Sequence, residues 1–152
     1  MAVNSEKLDS RVWLMMHRAH DVLKICEDKV FGERGLTAEQ YAVLAAIKCT
    51  GEPARVTDVA RWLTRSANSV SMMADRMAKA GLLRRVRDRA DRREVHLLIT
   101  SKAGTLLEPA TVAGEELIQK VLSQMPHEDR RTLVRLLELL EHGASGYLDG
   151  QN

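Results

Sequence analysis

The chain has 152 residues, 45% of them apolar and 29% charged, and a net charge of +2. That length suits one domain, and the apolar share suffices for a core beneath a charged surface. Two cysteines without CxxC spacing exclude a disulfide framework, and no apolar run is long enough to span a membrane. No signal-peptide h-region follows Met1, so the expected setting is cytoplasmic, with reduced thiols and no membrane partner.

Residues 7–31 place Leu8, Val12, Met15, Met16, Ala19, Val22, Leu23, Cys26 and Val30 at spacings of three and four, which predicts a helix. At ~1.5 Å per residue it is ~37 Å long. So small a chain cannot cover that stripe, which calls for a partner chain. Gly32 and Gly35 break the helix. Thr37-Ala38-Glu39-Gln40 reads as a capping box opening a helix from Tyr41 to about Lys48, ended by Gly51-Glu52-Pro53. Thr57 is the expected N-cap of a short helix, Asp58–Leu63. Ser66 caps the next, Ala67–Ala80, which Gly81 stops.

Beyond Gly81 the period changes to two. Leu83–Arg87 and Val95–Ile99 predict two strands around a charged tip, with Val95, Leu97 and Ile99 on one face. Thr100 or Ser101 then opens a helix carrying Leu106, Leu107, Leu117, Ile118, Val121 and Leu122, which Pro109 is expected to kink. Pro126 suits the first position of a last helix with Leu133, Leu136, Leu137 and Leu140 as its stripe, and the tail from Gly143 is expected to fray. The fold class is therefore mainly α with a small β-hairpin. Residues 1–35 and 101–152 are helical segments flanking a 36–100 lobe, within one structural domain.

Two short helices joined by a few residues and followed by a hairpin form a winged helix-turn-helix. The first turn of its second helix offers Ser66, Asn68 and Ser69, with Met72 one turn on. Small polar groups there reach base edges, and Asn suits adenine. Arg76, further along, suits phosphates. From Arg84 to Arg93 six arginines face two aspartates, leaving +4 there and −2 on the rest of the chain. Arg84 and Arg85 lie near the strand base, and Arg87, Arg89, Arg92 and Arg93 approach the tip. An always-charged planar guanidinium suits a narrow minor groove. The partner implied is double-stranded DNA. The competing reading is a helical dimerisation module that recruits an acidic protein through its basic hairpin.

These residues resemble the MarR family of transcription regulators. The likeness lies in Leu36-Thr37-x-x-Gln40-x-x-Val43-Leu44, in Ser69-Val70-x-x-Met73-x-Asp75-Arg76-Met77-x-x-x-Gly81-Leu82, in Asp91-Arg92-Arg93, and in Ile99-Thr100. Ile99, Ala103 and Met77 depart from the family's commoner Leu, Gly and Leu. The resemblance implies a homodimer, with a bias toward repression, in which the helices of 1–35 and 101–152 form the dimerisation region and the two lobes straddle a pseudo-palindrome. It also implies that Arg93 enters the minor groove while Asp91 shapes the wing tip.

Family members often bind a small aromatic or phenolic ligand, and Trp13, His17, Arg18 and Tyr41 are the residues here that suit one. His17, His20 and Asp21 lack a clear companion ligand, so no metal and no cofactor are expected. Cys26 and Cys49 suit redox sensing only with a cationic neighbour, and ordinary buried-thiol behaviour is the favoured expectation. No phosphate loop, nucleophile elbow or paired catalytic carboxylates stand out, so no catalytic residue and no enzyme are expected.

Overall fold

The computed structural model describes residues 2–91 and 93–150, with side chains from Lys7 onward. Helix α1 (Ala2–Gly32) carries the long apolar stripe and ends where Gly35 turns to φ +80°. Among the described side chains of α1, only those of its last turn reach the core. There Phe31 is buried and stacks on Tyr41, with ring centroids 4.0 Å apart. Upstream, Leu8, Val12, Met15 and Val22 stay exposed.

The capping box forms as expected. Thr37 Oγ1 accepts from the Gln40 amide at 3.1 Å, and Gln40 Oε1 accepts from the Thr37 amide at 2.9 Å. These bonds satisfy two orphan donors and start α2 (Ala38–Thr50), which buries Val43, Leu44, Ala46 and Ile47. A two-residue strand, β1 (Ala54–Arg55), follows and leads directly into α3 (Val56–Trp62). The expected Thr57 cap is therefore wrong. Thr57 lies inside the first turn, and Arg55 holds the N-cap position without a side-chain cap bond.

In α4 (Ala67–Lys79), Ser66 Oγ accepts from the Ser69 amide at 3.1 Å, and Val70, Met73, Ala74 and Met77 are buried. Gly81 at φ +74° ends it, and the Leu82 amide closes back on the Met77 carbonyl. A residue with a Cβ is strained in that region, so glycine is required.

Strands β2 (Leu83–Arg87) and β3 (Val95–Ile99) form the hairpin, with Leu83 opposite Ile99 and Arg87 opposite Val95. β1 adds to the far side of β3, giving the order β1-β3-β2. Ala54, Leu83 and Leu97 bury one face against the helices, as the expected Val95/Leu97/Ile99 face required. Thr100 Oγ1 accepts from the Ala103 amide and starts α5 (Ser101–Leu122), which continues through Pro109. Pro126 caps α6 (His127–Asp149) rather than entering it. The expected fraying from Gly143 is also corrected. The helix runs through Gly143 and Gly146 to Asp149, and Gly150 still donates to the Gly146 carbonyl.

Residues through Glu115 form one compact unit, and those from Glu116 form a second. Together they give a mainly helical chain with a small antiparallel sheet, as the sequence predicts. Among the described residues no helix is long and apolar enough to cross a membrane.

Candidate nucleic-acid interface

The cap at Ser66 sets the direction of α4 and leaves its first turn outward. Asn68 and Met72 are exposed, while Ser69 is half-buried beside Val70. The Ser66 oxygen is occupied by the Ser69 amide, so its main contribution is to hold that turn. Arg76 is exposed one turn beyond Met72, with Glu39 Oε2 at 3.9 Å. Glu39 also pairs with Arg65 at 2.7 Å, so one carboxylate on α2 ties the α3–α4 turn to the outer face of α4.

Alternation along β2 separates the arginines of the wing. Leu83, Arg85 and Arg87 share one side, and Arg84 and Val86 share the other. The Arg85 guanidinium turns toward α4, where it pairs with Asp75 and donates to Ser71 Oγ at 3.1 Å. Arg85 thus does not stand beside Arg84 as a second outward cation at the strand base. It clamps wing to helix, and its side chain is only 25% exposed. Arg84, Arg87, Arg89 and Arg93 are exposed. Arg92 lies outside the described residues.

Two nested aspartate turns build the tip. Asp88 Oδ1 accepts from the amides of Ala90 at 2.6 Å and Asp91 at 3.1 Å. Asp91 Oδ1 accepts from the Arg93 amide at 2.9 Å. The Asp91 role expected of the tip therefore has a geometry, and Asp88 is a second tip residue that sequence reading missed. The amides of Ala90 and then Asp91 stabilise the Asp88 carboxylate and hold its pKa below the ordinary value, with smaller help from His96 and Arg55. An aspartate two residues before the amide it caps is a turn signal, and it was legible at Asp88.

The wing and the outward turn of α4 border an open cleft of about 310 Å³. Asn68, Ser71, Arg85 and Arg93 line it, joined by Arg55 and Thr57, which sequence reasoning left out of the site. Arg55 comes from β1, a strand too short to show a period.

The four residues suited to an aromatic ligand do not meet within one chain. Trp13 and His17 touch edge to face on α1, with centroids 5.2 Å apart, and both are exposed together with Arg18. Tyr41 packs on Phe31 instead. Phe31 is 14 residues beyond His17 on the same helix, about 21 Å at the helical rise. Cys26 is half-buried on α1 and Cys49 is exposed at the end of α2; both are free thiols.

Residues 36–95 match the model of the MarR family. The HTH-type transcriptional regulator MgrA of Staphylococcus aureus is 30% identical over 115 residues, covering 76% of each protein. Among solved structures, the organohalide sensing RdhR-CbdbA1625 transcriptional regulator in its 2,4-dichlorophenol bound form has a TM-score of 0.83 at 20% identity, covering 90% of this chain and 80% of that one. The S. aureus MepR–DNA complex has a TM-score of 0.76 at 23% identity, covering 86% and 95%. MgrA and RdhR-CbdbA1625 are transcriptional regulators, and the mainly helical winged fold of this chain matches those of the solved structures. The chain belongs to the MarR family of transcriptional regulators.

Proposed function

We propose that this chain is a homodimeric repressor that reads a pseudo-palindromic operator with the first turn of α4 in the major groove and the wing, residues 84–99, in the minor groove. The observation that carries this reading is the shared cleft: Asn68 of α4 and Arg93 of the wing border the same opening. One element then offers an amide for base edges and the other a guanidinium for a narrow groove. Arg84, Arg87 and Arg89 add phosphate contacts, and Arg76 adds one from α4. Such a protein works in the cytoplasm on duplex DNA. MepR, whose fold this chain shares, was solved with DNA bound, which supports the same partner here.

Dimerisation is supported by the apolar surface that neither terminal helix buries within the chain. Trp13 on α1 is 62% exposed, and α6 contains no buried residue although Leu133, Leu136, Leu137 and Leu140 line one side. Monomeric proteins rarely leave such contiguous apolar area open. A small aromatic ligand at Trp13, His17 and Arg18, with Tyr41 supplied by the second chain, is the regulatory reading. The dichlorophenol bound by RdhR-CbdbA1625 is a ligand of that chemistry.

The test starts with selection of bound duplexes from a random pool, followed by anisotropy titrations on the selected site. Arg93→Ala should lose affinity for all sequences, and Asn68→Ala should relax discrimination by about 1–3 kcal/mol at one or two base pairs. Equal binding of selected and random duplexes would remove operator recognition from the reading.

A further inference from the structure

At the base of the wing tip, beside the cleft that Glu94 also lines, three potential metal ligands converge from the two ends of the tip. Asp88 follows β2, Glu94 precedes β3, and His96 lies within β3 opposite Val86. One donor atom of each lies within 4.8 Å of the others. His96 Nε2 is 3.6 Å from Glu94 Oε2 and 3.8 Å from Asp88 Oδ2. Both distances are too long for hydrogen bonds. The His96 side chain is 19% exposed, but its Nε2 is shut off from solvent and has no hydrogen-bond partner among the described residues. A shielded ring nitrogen facing two carboxylates across such gaps is an uncompensated polar atom.

We propose that Asp88, Glu94 and His96 bind a zinc-class divalent cation that clips the two ends of the wing together. The spacing fits. Two ligands at about 2.1 Å from a tetrahedral zinc are about 3.4 Å apart, so small side-chain rotations close the site. The donors fit as well, since one imidazole and two carboxylates suit zinc with an open fourth position. Asp88 is held for the task. Its Oδ1 accepts the Ala90 and Asp91 amides, which fixes the carboxylate and leaves Oδ2 toward His96. Bonds of this kind behind a ligand orient it and raise affinity. The competitor is Arg55, whose Nε is 3.3 Å from Glu94 Oε2. Arg55 is 54% exposed and can swing away when the cation takes that oxygen. The alternative is a cluster of side chains that holds no metal.

The experiment is titration of the full chain with zinc chloride against a chromogenic chelator, in a Cys26→Ser/Cys49→Ser background so that thiolates do not contribute. The His96 imidazole is followed in parallel by NMR. The expected result is one zinc per chain with displacement of the His96 ring signals. Glu94→Gln and Asp88→Asn, which keep side-chain shape, should each weaken binding about tenfold or more. Arg55→Met should tighten it. Two outcomes overturn the proposal. In one, the His96 signals ignore zinc, which leaves the cluster without a metal. In the other, the zinc equivalent survives both isosteric substitutions. Neither readout involves DNA, so failure here leaves the operator reading standing.

Discussion

Arg85 separates two ways in which an arginine can serve a DNA-binding wing. Arg85→Met keeps most of the aliphatic stem and removes the guanidinium. The loss can be worked from its partners. Asp75 is 56% exposed, so the ion pair contributes about 0.2–1 kcal/mol after solvent screening. The bond to Ser71 Oγ at 3.1 Å contributes about 1 kcal/mol, and the contact to the Ser71 carbonyl at 3.4 Å is too long to add much. The expected cost is about 1–2 kcal/mol. At about 2–4 °C per kcal/mol, Tm falls by about 2–8 °C. Urea and thermal unfolding at one fixed protein concentration measure it, because association shifts apparent stability. A cycle with Asp75→Asn should return a coupling of about 0.2–1 kcal/mol. DNA binding supplies the opposing readout. A phosphate-binding arginine contributes about 0.9 to the slope of log affinity against log salt. Arg85→Met should leave that slope unchanged, and Arg84→Met should reduce it. Unaltered stability together with a reduced slope in Arg85→Met would refute the clamp.

Ser66→Ala should destabilise the chain by about 1 kcal/mol in urea unfolding, because the Ser69 amide loses its acceptor, while base preference stays as it was. Gly81→Ala should cost about 1–2 kcal/mol, since φ +74° strains any residue with a Cβ; an unchanged Tm would mean that the turn reorganises freely. The Ala90 and Asp91 amides, with smaller help from His96 and Arg55, hold the Asp88 pKa below the ordinary 3.8, so its ionised form supports the fold above that value and the support is lost as pH falls through the lowered one. Wing-tip amide signals should therefore persist as pH falls to 3.8 and collapse only below it in the parent, but not in Asp88→Asn, which keeps the acceptor oxygen. Leu137→Glu on α6 should shift sedimentation toward monomers while keeping the far-ultraviolet helical signal. An unchanged mass would place the interface elsewhere.

The parts of the fold legible in the sequence were those with long periods or punctuating residues. The stripe of α1, the Thr37–Gln40 box, the Ser66 cap and the Gly81 stop each act through local backbone chemistry, and local chemistry survives in a one-dimensional reading. β1 was not legible. Ala54 and Arg55 are strand residues only because β3 lies beside them, and two residues carry no period. That pairing also moved the start of α3 ahead of Thr57. At the interface, charge density revealed the wing but not the work of each arginine. Sequence placed Arg84 and Arg85 together as neighbours, whereas the pleat sends them to opposite sides and gives Arg85 to Asp75. Tyr41 depended on context in the same way: its stacking on Phe31 joins two elements and no spacing in the sequence shows it.

On the proposed reading, the bridge from Arg85 to Ser71 and Asp75 also constrains the operator. It fixes the offset between the reading helix and the wing, so each lobe works as a calliper of set opening. One base pair inserted between the segments touched by α4 and by the wing displaces them by about 3.4 Å and rotates them by about 34°. A calliper cannot follow that change. Spacing within each half-site should therefore be invariant, and any tolerance for length should lie between half-sites, where two lobes meet separate stretches of DNA.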